Sequence, residues 1–228
     1  MRELLTPSMA GGLLILSSCA TTLTQLEQMK HGDAHKNADE SISCAADQQE
    51  CYQLHLLKGD ACYKLAVDLQ EAQQQHATAQ DQTRVRQRQL DSCAANELRV
   101  GMTLAPAEQT PAGTIREYAL KRLESLRDLI DTRTIGDPGG ADMLAQAATE
   151  FGKRYPTDPA GPYYLASARL TVAQDNFLHS SDVTSLCAAL PDIQKLVSTG
   201  SARPGALEAQ YTNLAESLAV LRRTGGCT

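Results

Sequence analysis

The chain has 228 residues with 21 basic and 27 acidic side chains, which gives a formal net charge of −6. An acidic chain is a poor match for nucleic acid as the main partner, because neutralising phosphates requires a basic surface. Hydrophobic residues make up 42% of the chain and charged residues 21%, as in ordinary globular proteins. Trp is absent and there are only two Phe, so the core must come from Leu, Ala, Val and Tyr, which favours helices over a sheet.

The N-terminus has the pattern of an export signal. An apolar run over residues 9–16 is shorter than the roughly 20 residues that span a bilayer, and it suits the apolar segment of a signal peptide. Residues 16–19 read Leu-Ser-Ser-Cys, which resembles the lipobox of bacterial lipoproteins. The resemblance implies a lipidated Cys19 and, since Ala20 rather than Asp follows it, delivery to the periplasmic face of the outer membrane. The alternative is an ordinary signal peptide with a free Cys19 thiol.

The predicted organisation therefore has three parts. They are a signal peptide over 1–18, a lipidated N-terminus and tether over 19–37, and a helical domain over 38–228. The tether is mostly polar, although Leu23, Leu26 and Met29 have helical spacing, which keeps a helix there open.

An even number of further cysteines in an exported chain predicts disulfide bonds. The six are Cys44, Cys51, Cys62, Cys93, Cys187 and Cys227. Residues 47–50 read as a capping box with Asp47 at the cap, so a helix is predicted from Asp47 to about Gln75. Cys51 and Cys62 would then lie about 16 Å apart on one rod, too far to pair.

The remaining geometry suggests three pairs. Cys44 precedes the cap and can fold back to reach Cys51. Two antiparallel helices joined near residue 78 bring Cys62 opposite Cys93, which leaves Cys187 for Cys227. The rival interpretation is a cysteine-based metal site, but the chain contains no Cys-x-x-Cys pair.

The rest of the chain is predicted to be helix after helix. Gly59, inside the first long helix, is expected to mark a close approach of a neighbour. Pro106 to Gly113 is predicted to be a loop, and Pro191 is expected to kink or restart its helix. The predicted helices lie at 78–100, 118–130, 141–154, 161–176, 182–199 and 206–223, with turns at 137–140 and 200–205.

Two segments, residues 56–63 and 147–166, resemble tetratricopeptide repeats. In the second, small residues and Phe151 precede a Pro-containing turn, and the next helix opens with Tyr163 and Tyr164. No regular 34-residue period is present. The resemblance implies an all-α fold of irregular tetratricopeptide-like hairpins stacked into one disulfide-stapled domain. A lipoprotein with such a fold is similar to the helical periplasmic lipoproteins associated with TRAP or lipid-trafficking transporters, and to pilotins.

Motifs for chemistry are weak. His31 and His35 are four residues apart and would share a helix face, a spacing that can bind a metal, but a solvated tether is the favoured interpretation. His55, His76 and His179 are interpreted as isolated surface residues. Arg84, Arg86 and Arg88 are interpreted as a solvated surface rather than an anion site. Nucleophile elbow, P-loop and dinucleotide motifs are absent from the sequence. We therefore expect no enzyme, cofactor or metal site.

Two functional hypotheses follow. The first is a carrier that binds an apolar, lipid-like ligand for an envelope transport system, with an inner-membrane transporter or a periplasmic binding protein as partner. The second is a non-enzymatic assembly adaptor or pilotin that binds a protein through stacked helices. A closed apolar cavity would favour the carrier, and an open groove with polar walls would favour the adaptor.

Overall fold

The computed structural model describes residues 14–45, 47–75, 80–108, 110–132, 139–203, 205 and 207–227. These residues form helices and connecting turns without a strand, which confirms the predicted all-α class. The helices are α1 (Leu14–Lys30), α2 (Ala34–Asp39), α3 (Cys51–Gln75), α4 (Gln80–Leu104), α5 (Ala112–Asp131), α6 (Gly139–Arg154), α7 (Ala160–Ser180), α8 (Val183–Ser201) and α9 (Glu208–Thr224). From α3 to α9, each helix packs chiefly against the helices before and after it, so successive hairpins stack.

Two hydrophobic clusters meet at α7. One lies among α5, α6 and α7, and includes the fully buried Leu123 and Leu144. The other lies among α7, α8 and α9, and includes Leu190 and Leu218. Because α7 contributes residues to both clusters, it is the central helix of the C-terminal half.

The α3–α4 hairpin is closed by reciprocal contacts between leucine and glycine. A Cβ on Gly59 would lie 2.7 Å from Leu98 Cγ and 2.9 Å from the Leu98 backbone nitrogen. A Cβ on Gly101 would lie 2.7 Å from Leu56 Cγ. Each helix thus places a leucine over a glycine of the other, and the expected close approach at Gly59 is confirmed.

Three disulfide bonds staple the helices. Cα–Cα distances are 5.7, 6.0 and 5.3 Å, within the usual range for disulfides. The pairs are Cys44–Cys51, Cys62–Cys93 and Cys187–Cys227. The pairing predicted from helix rise and hairpin geometry is therefore the pairing in the structure.

The first long helix begins later than predicted. It starts at Cys51 rather than Asp47, because the preceding residues form short turns instead of a capped first turn. Gln48 Oε1 accepts hydrogen bonds from the Ala45 backbone N–H at 3.2 Å and from the Thr22 hydroxyl at 3.0 Å. These contacts tie the turn to α1 and delay the helix by four residues.

Two predictions about proline are corrected in part. The helix does not restart at Pro191, since α8 runs from Val183 to Ser201 with the exposed Pro191 inside it, and the kink expected there stays a prediction. Pro111 occupies the N-cap position of α5, so Gly113 is helical and the loop ends earlier than expected. Proline is well tolerated in such starting positions because no helical hydrogen bond is lost there. The predicted turn over 200–205 is shorter too, because Gly200 is still in α8.

The stretch predicted to be a tether is largely folded. Leu26 and Met29 on α1 are 3% exposed and pack with Leu54 of α3. The Asn37 side-chain amide donates to the Met29 carbonyl at 2.7 Å, which fixes α2 behind α1. The helix that this spacing left open is therefore present as α1, and residues from Thr22 onward pack against the domain.

Candidate functional site

A cleft of about 410 Å³ lies among α6, α7 and α8, and we call it the α6–α8 cleft. Its floor is made of Val172 and Leu186 with Ile193, together with several alanines of the same helices. Small side chains at these positions leave room between helices that are otherwise closely packed. The cleft is therefore apolar at its base.

Charged and polar side chains form the rim of this cleft. Asp142 comes from α6, Arg169 from α7 and Asp192 from α8, and all three are exposed. Among the described residues, none forms an ion pair with Arg169. Asn176 and Ser185 add polar groups to the rim. The cleft is thus an open groove with polar walls, and its charges are available to a partner.

Large apolar side chains are exposed on the same helices. Met143 on α6 is 50% exposed, Leu178 on α7 is 60% exposed and Val183 on α8 is 43% exposed. None of the three lines the cleft, because residues one or two positions apart on a helix point in different directions.

A second polar cluster is buried between α4 and α5. Asp91 is 1% exposed; its Oδ2 accepts from Gln87 Nε2 at 3.0 Å, and its Oδ1 has no hydrogen-bond partner among the described residues. Burial and, to a smaller extent, the charge of Asp128 raise the pKa of Asp91 to about 7, while the hydrogen bond from Gln87 opposes them. Burial also raises the pKa of Asp128 to about 6, with Asp131 and Glu124 adding to the effect. This cluster lies inside the fold and bears on stability.

The α3 helix carries an ion-pair network towards its neighbours. Lys121 Nζ of α5 lies 2.6 Å from Asp60 Oδ1 and 2.8 Å from Glu117 Oε1. His55 Nδ1 lies 2.5 Å from Glu97 Oε2, and the His55 side chain is only 18% exposed. The interpretation of His55 as an isolated surface residue is therefore wrong, because it is a paired residue between α3 and α4.

The other histidines behave as the favoured interpretation expects or lie outside the described residues. His31 and His35 do not share a helix, since α1 ends at Lys30 and α2 begins at Ala34. The His31 side chain is 83% exposed. His179 is exposed and contacts the Asp175 carbonyl at 2.8 Å, and His76 lies outside the described residues.

One cluster of metal-ligand type is present among the described residues. Ligand atoms of Cys44, Cys51 and His55 lie within 4.8 Å of one another. Both sulfurs belong to a disulfide bond. A disulfide offers no thiolate, the form that binds zinc, so this arrangement serves as a staple in the oxidised protein.

The lipobox prediction concerns residues at the edge of the described part. Residues 1–13 lie outside it, as does the side chain of Cys19, although the Cys19 backbone is part of α1. Lipidation of Cys19 therefore stays a prediction. The described residues do not include a candidate membrane-spanning helix.

Comparisons with known proteins do not assign the chain to a family. No protein-family model matches the chain, and no curated protein or solved structure shows significant similarity to it. The resemblances to bacterial lipoproteins and to tetratricopeptide repeats therefore stay predictions from the sequence.

Proposed function

We propose that the protein is a lipid-anchored, non-enzymatic adaptor of the outer membrane that binds an amphipathic segment of a protein partner in the α6–α8 cleft. The observation that carries the proposal is the form of the cleft, an apolar floor beneath an exposed and charged rim. Helical proteins commonly bind partner helices in grooves of this kind, with apolar anchors below and polar contacts at the edges. An envelope assembly factor or a transporter subunit fits this role.

The rim predicts the charge pattern of the partner. Arg169 stands on the central helix, while Asp142 and Asp192 stand on the two flanking helices. A fitting segment would carry apolar residues at three- and four-residue spacing, an acidic residue for Arg169 and basic residues on the flanks. The alanines of the floor allow such a segment to approach closely.

The anchor would hold the adaptor close to the bilayer. Thr22 is 2% exposed, and its hydroxyl donates to Gln48 Oε1 at 3.0 Å. Only three residue steps separate Thr22 from Cys19, and three residues of extended chain span at most about 10 Å. A lipidated Cys19 would thus be attached to the folded domain almost directly.

The anchor is tested by fractionating cells that express Cys19→Ala. We expect this variant in the soluble fraction, because it has no thiol to acylate, and a folded domain that retains its disulfide bonds. Ser18→Ala is the matched control, since it keeps a small residue before the cysteine and should remain with the membrane. Membrane-bound Cys19→Ala, or a native protein without acyl groups, would contradict the anchor.

The adaptor is tested by selecting binders from a library of helical peptides against the full chain. We expect enrichment of amphipathic peptides with an acidic residue, whose binding Ala189→Arg abolishes by filling the floor. Arg169→Glu should shift the enriched peptides towards basic residues. Val220→Arg, on the exposed face of α9, is the control and should leave binding unchanged. Failure to enrich any peptide sensitive to Ala189→Arg would rule out this site.

A carrier of apolar small molecules is the second candidate, and one observation favours it. A volume of about 410 Å³ lies in the range of pockets that bind small ligands. Mass spectrometry of organic extracts from the purified protein separates the two functions. A stoichiometric lipid that is lost in Ala189→Arg would support the carrier over the adaptor.

A further inference from the structure

A second, smaller cleft lies among α4, α5 and α6, on different helix faces from the α6–α8 cleft. Its volume is about 160 Å³, and three arginines line it, one from each helix. They are Arg99 of α4, Arg122 of α5 and Arg154 at the end of α6. We call this feature the arginine cleft.

Two of the arginines are exposed and lack acidic partners among the described residues. Arg99 donates from Nη2 to Asn96 Oδ1 at 3.0 Å, a neutral acceptor. The guanidinium carbon of Arg154 lies 5.8 Å from the centroid of the Tyr155 ring, which also lines the cleft. Such a contact orients a guanidinium group without neutralising its charge. Both side chains therefore keep a full positive charge and most of their donors.

Arg122 is the inner member of the cleft. Its side chain is 15% exposed, and its buried Nε has no hydrogen-bond partner among the described residues. Its Nη1 lies 3.7 Å from Glu150 Oε2, on a side chain that is 56% exposed. A buried guanidinium group with an unused donor is costly, because it has lost water without gaining a full set of acceptors.

The charges in the cleft do not balance. Three arginines face one carboxylate, that of Glu150, among the residues that line the cleft. Burial lowers the pKa of Arg122, and the nearby charge of Arg99 lowers it further, while Glu150 opposes both effects. An anion held between the arginines would offset this repulsion and supply an acceptor for the buried donor.

We propose that the arginine cleft binds a phosphoryl group. One arginine can satisfy a carboxylate through a bidentate pair, whereas arginines from three sides suit an anion with three or more oxygens. The cleft is smaller than the 300–1,000 Å³ typical of pockets that enclose a whole small molecule. It therefore receives the charged group, which belongs either to a soluble phosphate compound or to a phospholipid headgroup.

The first experiment measures the thermal unfolding of the full chain, with its disulfide bonds intact, in inorganic phosphate and in chloride of equal ionic strength. A ligand that binds the native state raises its melting temperature in a saturable way. We expect such a rise in phosphate alone, and at least a fivefold higher half-saturation concentration in Arg99→Gln and in Arg154→Gln. These residues are exposed, so the variants should fold even where Arg122→Gln does not. Arg223→Gln, on α9, should respond as the native chain does.

The second experiment identifies the source of the phosphoryl group. The Cys19→Ala chain, which cannot be acylated at that position, is sedimented with vesicles of phosphatidylglycerol. Binding that Arg99→Gln weakens at least fivefold supports the site and assigns it to a lipid headgroup. A response to inorganic phosphate without such vesicle binding supports the site and assigns it to a soluble phosphate compound. The proposal is overturned if phosphate acts no differently from chloride, or if Arg99→Gln and Arg154→Gln leave the response unchanged.

Discussion

The α3–α4 hairpin and the α6–α8 layer both pack helices in sequence, yet they use different side chains at the contact. In the hairpin, Leu98 and Leu56 fill the surfaces of Gly59 and Gly101, and the backbones approach closely. In the layer, alanines line the seam and leave a cleft of about 410 Å³. A large residue opposite a glycine fills the contact, whereas small residues opposite each other leave space. The hairpin therefore closes its contact, whereas the layer keeps a cleft, which is the site of the proposed binding.

The largest effect should come from removing the disulfide bond across the hairpin. Cys62→Ala with Cys93→Ala opens a link between residues 31 apart, and we expect a loss of about 3–4 kcal/mol in the free energy of unfolding. Urea denaturation under oxidising conditions measures it. The double variant Cys187→Ala with Cys227→Ala is the comparison, because its bond joins α8 to a residue beyond the end of α9 rather than two long helices.

Amide exchange distinguishes the two disulfide variants. Loss of the hairpin bond should speed exchange throughout α3 and α4, because it joins the middle of both helices. Loss of the C-terminal bond should speed exchange mainly at the end of α9. An unfolding free energy that is the same with and without the Cys62–Cys93 bond would contradict the role given to the hairpin staple.

The next effect concerns the buried carboxyl group beside the hairpin. The pKa of Asp91 is raised to about 7, above the value of about 4 expected in the unfolded chain, so the native state holds the proton more tightly. The stability gained from protonated Asp91 is fully present below about pH 4 and is lost as the pH rises through 7. Asp91→Asn should therefore stabilise the protein at pH 8 by about 4 kcal/mol at most, and much less near pH 4.

Chemical denaturation from pH 4 to 8 checks this prediction. Asp68→Asn, at an exposed position of α3, controls for the loss of one negative charge and should change stability by less than about 0.5 kcal/mol. If Asp91→Asn and the native chain show the same pH profile, the carboxyl group of Asp91 is not held in its neutral form.

A smaller effect on stability tests the glycine contact that distinguishes the α3–α4 hairpin from the α6–α8 layer. Gly59→Ala should destabilise the protein by about 2 kcal/mol, because its Cβ would lie 2.7 Å from Leu98 Cγ and force the helices apart. Gly152→Ala, in α6, is the matched control. A Cβ there meets nothing within 4 Å, so we expect a gain of up to about 1 kcal/mol from helix propensity. If Gly59→Ala and Gly152→Ala change the melting temperature equally, close packing at Gly59 does not contribute to stability.

Contacts within one helix or one hairpin could be predicted from the sequence, whereas contacts between helices that are distant in sequence could not. The rise of a helix excluded a Cys51–Cys62 bond, and an interior glycine marked the close contact at Gly59. The burial of Asp91 could also have been predicted from the helical spacing, since Asp91 lies beside Leu90 on the face of α4 that also carries Ala94.

The two clefts needed the structure. Arg99, Arg122 and Arg154 are more than 20 residues apart in sequence, and only the stacking of three helices brings them to one cleft. The α6–α8 cleft likewise depends on which alanines face each other across the seam. The restart expected at Pro191 does not occur, since its ring is exposed and the buried Leu190 and Ile193 on either side pack α8 against its neighbours.

The smallest effect lies at the turn that joins α7 to α8 near the cleft. Ser181 has φ 54° and is the non-glycine residue with positive φ among the described residues. Glycine adopts this conformation without the steric cost of a Cβ, so Ser181→Gly should raise the unfolding free energy by about 0.5–1 kcal/mol. Ser180→Gly, one residue earlier, should lower it, because the Ser180 hydroxyl bonds the Asn176 carbonyl at 2.6 Å and accepts from the Asp182 N–H at 3.2 Å. Thermal unfolding measures both changes, and peptide binding to the α6–α8 cleft should stay the same in Ser181→Gly. A binding loss without a stability change would mean that the turn contacts the partner directly, and the binding surface would then extend beyond the alanine seam.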